Sequence, residues 1–331
     1  MTRKLSIGTD RRQLMIGAGA GLMSASFGAP TSAQAKFKLR QGYQTNIWGM
    51  PTFYMVQSGI LKKYGFEVEE FQVPSGNITI QQMVAKQVDM GTYAGPSLML
   101  GHDKGGIVGI ALIEYVGKTN HIIARKDLGI KKVEQLKGMK IANQTGSSVG
   151  NIFVDQVGPK HGLVKGSYQE VRMNVNDMVA AMAAKTVDAI VSVEPYSAIA
   201  AADSIGDILL NFSDYDRLPV FMAATPEYVD KNGDAIVAYL KAWIEIGKDI
   251  KANPDKVAET VHKFYTSKGY SMKLETMQKA MAGVEVDVSF PKTMVPYLTA
   301  HAEVLVKENT IKAIPDWSKL LRTDFMDKAM A

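Results

Sequence analysis

The chain has 331 residues, 46% of them hydrophobic and 21% charged, with a formal net charge of +5 at pH 7 and no cysteine. That is globular composition, long enough for one large or two medium domains. It excludes thiol catalysis, disulfides, thiolate metal sites and a lipid-modified N-terminal cysteine.

Residues 1–35 read as an export signal. Thr9 to Met15 is a charged region, an apolar Gly/Ala-rich stretch follows to Phe27, and Ala33 to Ala35 supply a small-x-small cleavage site after Ala35. The Arg11-Arg12 pair followed by Gln13 and Leu14 resembles a twin-arginine signal, with Asp10 a less typical neighbour that leaves the Sec route open. Gly17 to Gly21 follows no strand, so it is not read as a dinucleotide loop. Arg3, Lys4, Arg11 and Arg12 carry most of the excess positive charge. The mature chain therefore offers no electrostatic case for a nucleic-acid partner.

From Leu39 the chain alternates short apolar runs with helical patterns. Strands are expected at Leu39–Tyr43, Phe66–Val73, Val88–Gly91 and Ile107–Ile113. Helices are expected at Pro51–Tyr64, at Ile78–Lys86 and from Pro96. The pattern restarts with strands at His121–Ala124, near Lys140–Asn143, and at Glu170–Asn174, Val187–Val191, Ile208–Phe212 and Val220–Ala223. Helices at Val149–His161 and Asp177–Lys185 separate them. Strands separated by helices imply parallel pairing in an α/β sheet. After Pro226 the pattern is helical to the end, with Ile236, Leu240, Trp243, Gly247 and Ile250 on one face.

Two α/β units result, about 36–115 and 120–215, with a helical tail and two crossings between them. A phrase is written twice: Met-Val-Ala-Lys-Gln-Val-Asp from Met83 and Met-Ala-Ala-Lys-Thr-Val-Asp from Met182. Seven residues after each aspartate comes a proline, Pro96 and Pro195, which places Gly95 and Glu194 at equivalent cap positions at a strand's carboxyl end. Ligands of open α/β sheets bind outside those ends. Other strand-end loops converge there, among them Thr45 to Pro51, Gln144 to Asn151 and Asn174 to Asp177. The Gly/Ser/Thr-rich stretch at Gln144 suits an anion.

Gly42 to Gln44, Val88 to Gly91, Gly95 to Ser97, Leu136 to Ala142, Gly146 to Ser148 and Val187 to Tyr196, in that order and spacing, resemble one family. It comprises the substrate-binding proteins of the nitrate/sulfonate/taurine (SsuA/TauA-like) and thiamine-precursor (NMT1/THI5-like) ABC importers. The resemblance runs over about residues 38–225. It implies a two-lobed periplasmic binding protein fold of type II-like α/β architecture, with two crossovers and a helical C-terminal tail. The lobes would be 36–117 with 218–331, and 118–217. It also implies a periplasmic location, a small-molecule ligand held between the lobes, hinged closure, and delivery to an inner-membrane permease with its ATPase. A monomer suffices for that task.

The ligand-binding candidates are Asn46, Trp48 and Gly49 in the first loop, Tyr93, Gly95 and Ser97 in the second, and Thr145, Ser147 and Ser148 in the third. Tyr115, Asn176 and Glu194 complete them. Glu194 would meet an ammonium or amidine-like group, or simply cap a helix. The hydroxyls would hold a sulfonate or carboxylate, or simply close a turn. Trp48, Tyr93 and Tyr115 would wall an apolar ligand body, or pack the core. Arg172 and Arg217 are further anion clamps, or plain surface cations. Family members commonly carry Trp-Glu-Pro where this chain has Val193-Glu194-Pro195, which removes an aromatic wall.

No catalytic residue, metal or cofactor is expected. The five histidines lack metal-ligand spacing, and no nucleophile elbow appears in the mature chain. The enzymes of similar fold, a pyrimidine synthase and porphobilinogen deaminase, rely on cysteine. The expected ligand is a small organic anion or zwitterion: a sulfonate, a taurine-like compound or an aromatic carboxylate. The alternatives are a thiamine-precursor pyrimidine, or a sensor that presents its ligand to a receptor.

Overall fold

A computed structural model describes residues 36–291 and 293–331. The export-signal reading, with its cleavage after Ala35, falls on residues outside that range. The described chain forms two sheets. The first has six strands in the order β11-β4-β10-β3-β1-β2, where β1 is Phe37–Gln44, β2 Phe66–Val73, β3 Met90–Ala94, β4 Val108–Tyr115, β10 Pro219–Ala224 and β11 Glu285–Val286. The second has five, in the order β7-β6-β8-β5-β9, where β5 is Asn120–Arg125, β6 Lys140–Asn143, β7 Gln169–Arg172, β8 Ala189–Val193 and β9 Gly206–Asn211.

Burial explains the placing of these strands. Every residue of β4 is buried, as its apolar run requires of a central strand. β2 carries Glu67, Glu69 and Glu70 and lies at the sheet edge, where charge discourages further pairing.

All-parallel pairing does not hold. β1 pairs with β2 and β3, and β6 with β7 and β8, in parallel. β10 runs antiparallel to β3 and β4, and β5 antiparallel to β8 and β9. The cause is the crossing itself. β4 ends at Tyr115, the chain passes to the other sheet, and Asn120 enters opposite Val193, the last residue of β8. The return through residues 212–218 brings Pro219 in opposite Tyr115. A strand that enters at its neighbours' carboxyl ends must run against them.

The repeated phrase becomes a matched pair of clamps. Lys86 and Lys185 take the left-handed conformation just past a helix end, with φ of 59° and 58°. Val88 and Val187 are buried behind them. Asp89 Oδ2 accepts the Arg40 backbone N–H at 2.9 Å, and Asp188 Oδ2 accepts that of Lys140 at 3.0 Å. The Asp89 carbonyl accepts the N–H of Thr225 and the Asp188 carbonyl that of Arg125. The phrase thus fixes where strands start, at the ends remote from the carboxyl-end loops.

Beyond it the copies diverge, so Gly95 and Glu194 are not equivalent caps. Gly95 is itself the first residue of its helix, Gly95–Gly105. The second helix starts two residues after Glu194, at Tyr196, with Pro195 as its cap and a cis Glu194–Pro195 bond.

Two helices expected as continuous are broken. Gly59, at φ 77°, separates Met50–Gln57 from Ile60–Lys63. Beyond Ser148–Ile152 a π-turn at Phe153–Val157 precedes Pro159, which cannot donate to an α-helical ladder. The tail is helical except for β11, which joins the edge of the first sheet beside β4. Its long helix, Gly233–Ala252, buries Ile236, Leu240, Trp243 and Ile250. Full burial of each large apolar side chain contributes about 1.5–3 kcal/mol. Gly247 lets β11 and the residues just after it run close: an added Cβ would stand 3.6 Å from Val286 Cγ1 and 3.0 Å from Val288 Cγ1. Among the described residues no helix is long and apolar enough to cross a membrane.

Candidate functional site

The loops at the carboxyl ends of β1, β2, β3 and β6 meet, with the last residue of β8, around one narrow space. After β1, Asn46 Oδ1 accepts the Trp48 N–H at 3.1 Å and starts a tight turn over Ile47–Gly49. Gly49 is required there, since a Cβ would lie 1.9 Å from the Gln44 carbonyl oxygen. The Trp48 indole is 6% exposed, and its Nε1 donates to Thr119 Oγ1 at 2.9 Å. With that donor satisfied, Trp48 presents an apolar wall.

The loop after β2 was not expected to contribute. Ser75, Gly76 and Asn77 line the space together with Gln44, Gln144 and Val193. Gly76 passes tightly over Tyr93, where an added Cβ would stand 2.7 Å from Tyr93 Cβ. The signal was a polar Ser-Gly-Asn directly after an alternating strand, the same strand-end rule applied to the other loops. After β3, Ser97 Oγ donates to Asn77 Oδ1 at 2.9 Å and lies 3.2 Å from Ser148 Oγ. The Asn77 amide donates to the Gly146 carbonyl of the other sheet. Ser147 Oγ accepts the Gly150 N–H at 3.2 Å and so caps its own helix.

Five of the twelve candidates therefore surround the space: Asn46, Trp48, Ser97, Ser147 and Ser148. The volume between the loops is about 20 Å³, little more than one water needs. The larger cavities lie elsewhere; one of about 510 Å³ lies among Arg40, Lys86 and Glu227, at the far ends of the strands. Position at the carboxyl ends and convergence from both sheets single out the small space, and volume does not.

The other seven candidates take different places. Gly49 shapes the first turn from behind. Tyr93 is fully buried, with its hydroxyl 3.6 Å from Met83 Sδ. Gly95 packs against the tail, where an added Cβ would stand 2.7 Å from Leu298. Tyr115 lies under the Arg217 guanidinium, 3.8 Å from its ring centre, beside the crossings. Thr145 donates to Glu170 at 2.7 Å. Asn176 is exposed and bonds Asp177. Arg172 is exposed near Gly146, and Arg217 pairs with Glu285 at 3.0 Å.

Glu194 is buried just behind Val193. Its Oε2 accepts the Ala198 N–H at 2.9 Å as a helix cap, and its carbonyl accepts the Ile47 N–H at 3.1 Å. Burial pushes its carboxyl up to about 7, with the Ala198 N–H opposing. His121 Nδ1 stands 3.7 Å from Glu194 Oε1, too far for a hydrogen bond, and burial pushes the imidazole down to about 4.

Among the described residues, no side chain lining the space is ionisable. Four helices, Met50–Gln57, Gly76–Val84, Gly95–Gly105 and the short Ser148–Ile152, start beside it. Their N-terminal dipoles favour negative charge there without a formal cation. Hydroxyl and amide donors, positive helix ends and an apolar wall together suit an anion with an apolar body.

Residues 49–257, more than half of the chain, match the NMT1/THI5-like family. The chain belongs to that family. It is 26% identical over 253 residues to a Brachyspira hyodysenteriae protein named as an ABC transporter periplasmic binding protein, covering 69% of this chain and 70% of the relative. It is 27% identical over 233 residues to an Escherichia coli protein named as an aliphatic sulfonates-binding protein, covering 68% and 71%. Among solved structures, the alkanesulfonate-binding protein SsuA from Xanthomonas axonopodis pv. citri, bound to MOPS, superposes with a TM-score of 0.73. That match has 17% identity over 87% of this chain and 97% of the other, and it shows the two-lobed periplasmic binding protein fold. This member of the NMT1/THI5-like family is a solute-binding protein of the ABC-importer type, and not an enzyme.

Proposed function

We propose that the protein captures a small organic monoanion, a sulfonate or carboxylate with an apolar body, between its two sheets. It then delivers that ligand to a membrane permease driven by an ATPase. The lobes are 36–117 with 218–331, and 118–217, and they close about the crossings as a monomer. The periplasm is the compartment, as it is for the Brachyspira relative.

One observation carries the reading of the ligand. The space is ringed by Ser97, Ser148, Asn46 and Asn77, with four helix starts and, among the described residues, no ionisable side chain. Uncharged hydroxyl and amide donors at helix N-termini solvate an oxyanion well. A zwitterion would bring an ammonium group with no lining carboxylate to meet it, because the Glu194 carboxyl is turned into its own helix. The geometry therefore favours an anion over a taurine-like ligand. The sulfonate named for the Escherichia coli relative points the same way.

A thermal-shift screen tests this with ethanesulfonate, benzoate, taurine, nitrate and a pyrimidine. A ligand at about 100 times its Kd adds roughly 2.7 kcal/mol, which raises Tm by several degrees in a chain of this size. Ethanesulfonate or benzoate is expected to give the largest shift. A larger shift from taurine or the pyrimidine would overturn the monoanion reading.

A further inference from the structure

The two crossings, residues 116–119 and 212–218, lie side by side. Gly117 N–H donates to the Arg217 carbonyl at 2.8 Å, and Val116 N–H donates to Arg217 and Leu218. A Cβ on Gly117 would stand 2.2 Å from the Asp216 carbonyl oxygen. Leu218 is fully buried with φ of 52°, a conformation that non-glycine residues seldom take. Asp216 holds it there, with Oδ1 accepting the Leu218 N–H at 2.7 Å.

The Asp216 carboxylate is also gripped from the tail. Tyr297 Oη donates to Oδ1 at 2.8 Å and lies 3.0 Å from Oδ2, and His301 Nε2 is 3.1 Å from Oδ2. Both donors sit on one helix, Met294–Lys307. The same helix packs behind the Gly95–Ser97 loop: a side chain on Gly95 would meet Leu298 Cδ2 at 2.7 Å, Phe221 Cε2 at 3.6 Å and Tyr297 Cε1 at 3.8 Å. Gly95 lies two residues before Ser97. The Tyr297 ring therefore lies behind Gly95 of a site loop, while its hydroxyl holds a crossing through Asp216.

We propose that Tyr297 and Asp216 are a positioning pair that couples the Gly95–Ser97 loop to the second crossing, so that the Met294–Lys307 helix sets how far the lobes close. The proposal rests on the reading of the space between the sheets as the ligand site. Neither residue lines that space, so both act through others. Without the Tyr297 hydroxyl, Asp216 loses its shortest tie to the tail and keeps only His301, and the Leu218 turn is freed to relax as the lobes part.

The lack of cysteine makes the test clean. A pair of spin labels on Lys62→Cys and Lys165→Cys, both exposed and one in each lobe, reports the interlobe distance. Tyr297→Phe keeps the ring against Gly95, and Asp216→Asn keeps an acceptor for Leu218. Each is expected to shift the distance distribution of the unliganded protein to longer values. Each is also expected to raise koff for ethanesulfonate about 5–20-fold, with kon within about twofold. The double variant should change little beyond either single one, as coupled partners do. Variants with the wild-type distribution and koff, or additive effects in the double variant, would overturn the proposal. A wild-type distance that ignores saturating ethanesulfonate would count against the ligand reading, and the unliganded distributions would still decide the coupling.

Discussion

Ser97 and Ser148 hold their hydroxyl oxygens 3.2 Å apart, although one belongs to the six-stranded sheet's loops and the other to those of the five-stranded sheet. An anion held between the sheets would meet both groups, and either hydroxyl could turn its proton to it in place of its present partner. Ser97→Ala and Ser148→Ala are each expected to weaken ethanesulfonate binding about 10-fold, roughly the 1.4 kcal/mol of one net hydrogen bond. Titration calorimetry checks this. The double variant should lose less than 100-fold, because each hydroxyl also serves the other.

Glu194 makes stability depend on pH in a defined direction. Its ordinary value is 4.5 and burial pushes it up to about 7 in the folded protein. The folded state therefore holds this proton more tightly than the unfolded state. The resulting stability is fully present below about 4.5 and is lost as pH rises through 7. A shift of that size corresponds to on the order of 3 kcal/mol. Glu194→Gln keeps an oxygen for the Ala198 N–H and removes the charge. Denaturant unfolding should find the variant gaining on the wild type as pH rises from 4.5 to 8, with a plateau above. A difference independent of pH would refute the assignment.

His121 works in the opposite sense. Burial takes it from 6.5 down to about 4, so its contribution is present above 6.5 and is lost as pH falls through 4. His121→Asn is expected to flatten the acid limb of the stability curve and leave the alkaline limb unchanged, as a pH series of Tm values would show.

The duplicated clamps should fail alike. Asp89→Ala and Asp188→Ala each strand a backbone N–H, of Arg40 or Lys140, and are expected to cost about 1–3 kcal/mol. Asp89 also holds the Arg40 guanidinium at 2.5 Å, which places it at the upper end. Urea unfolding measures the cost. Ligand affinity should stay within about twofold, since both aspartates lie at the far ends of the strands.

Gly49→Ala tests the first loop. The new methyl group would meet the Gln44 carbonyl oxygen at 1.9 Å, backbone against backbone, and cannot rotate away. Overpacking of this kind costs about 1–3 kcal/mol. It also moves Trp48, so a changed tryptophan emission spectrum is expected together with the lower midpoint.

Much of the fold is written in local patterns. Phe66–Val73 alternates and is a strand with those bounds, and the helical face of Ile236, Leu240 and Trp243 is buried as its spacing requires. Strand direction was not legible, because it depends on which sheet the chain enters after a crossing, and no local residue encodes that. β11 was missed because two residues carry no period. At the site, Ser97 and Ser148 followed from strand-end position. Tyr93 did not, because the alternation that decides which way a strand-end side chain points counts from a register that only the partner strands fix. Glu194 carries the same lesson: sequence places an acid at the cleft, and only the helix beside it shows what its oxygens already hold.

The five strands of the second sheet come from one unbroken stretch, 120–211, whereas the first sheet needs β10 from residue 219 and β11 from residue 285. The second sheet can thus be completed by chain already made, while the first stays open at β4 until the tail emerges. Pairing Tyr115 with Glu285 closes a far longer loop than any pairing in the second sheet, and such long-range pairings form late. The lobe inserted in the middle of the chain is thus the first whose sheet has all its strands.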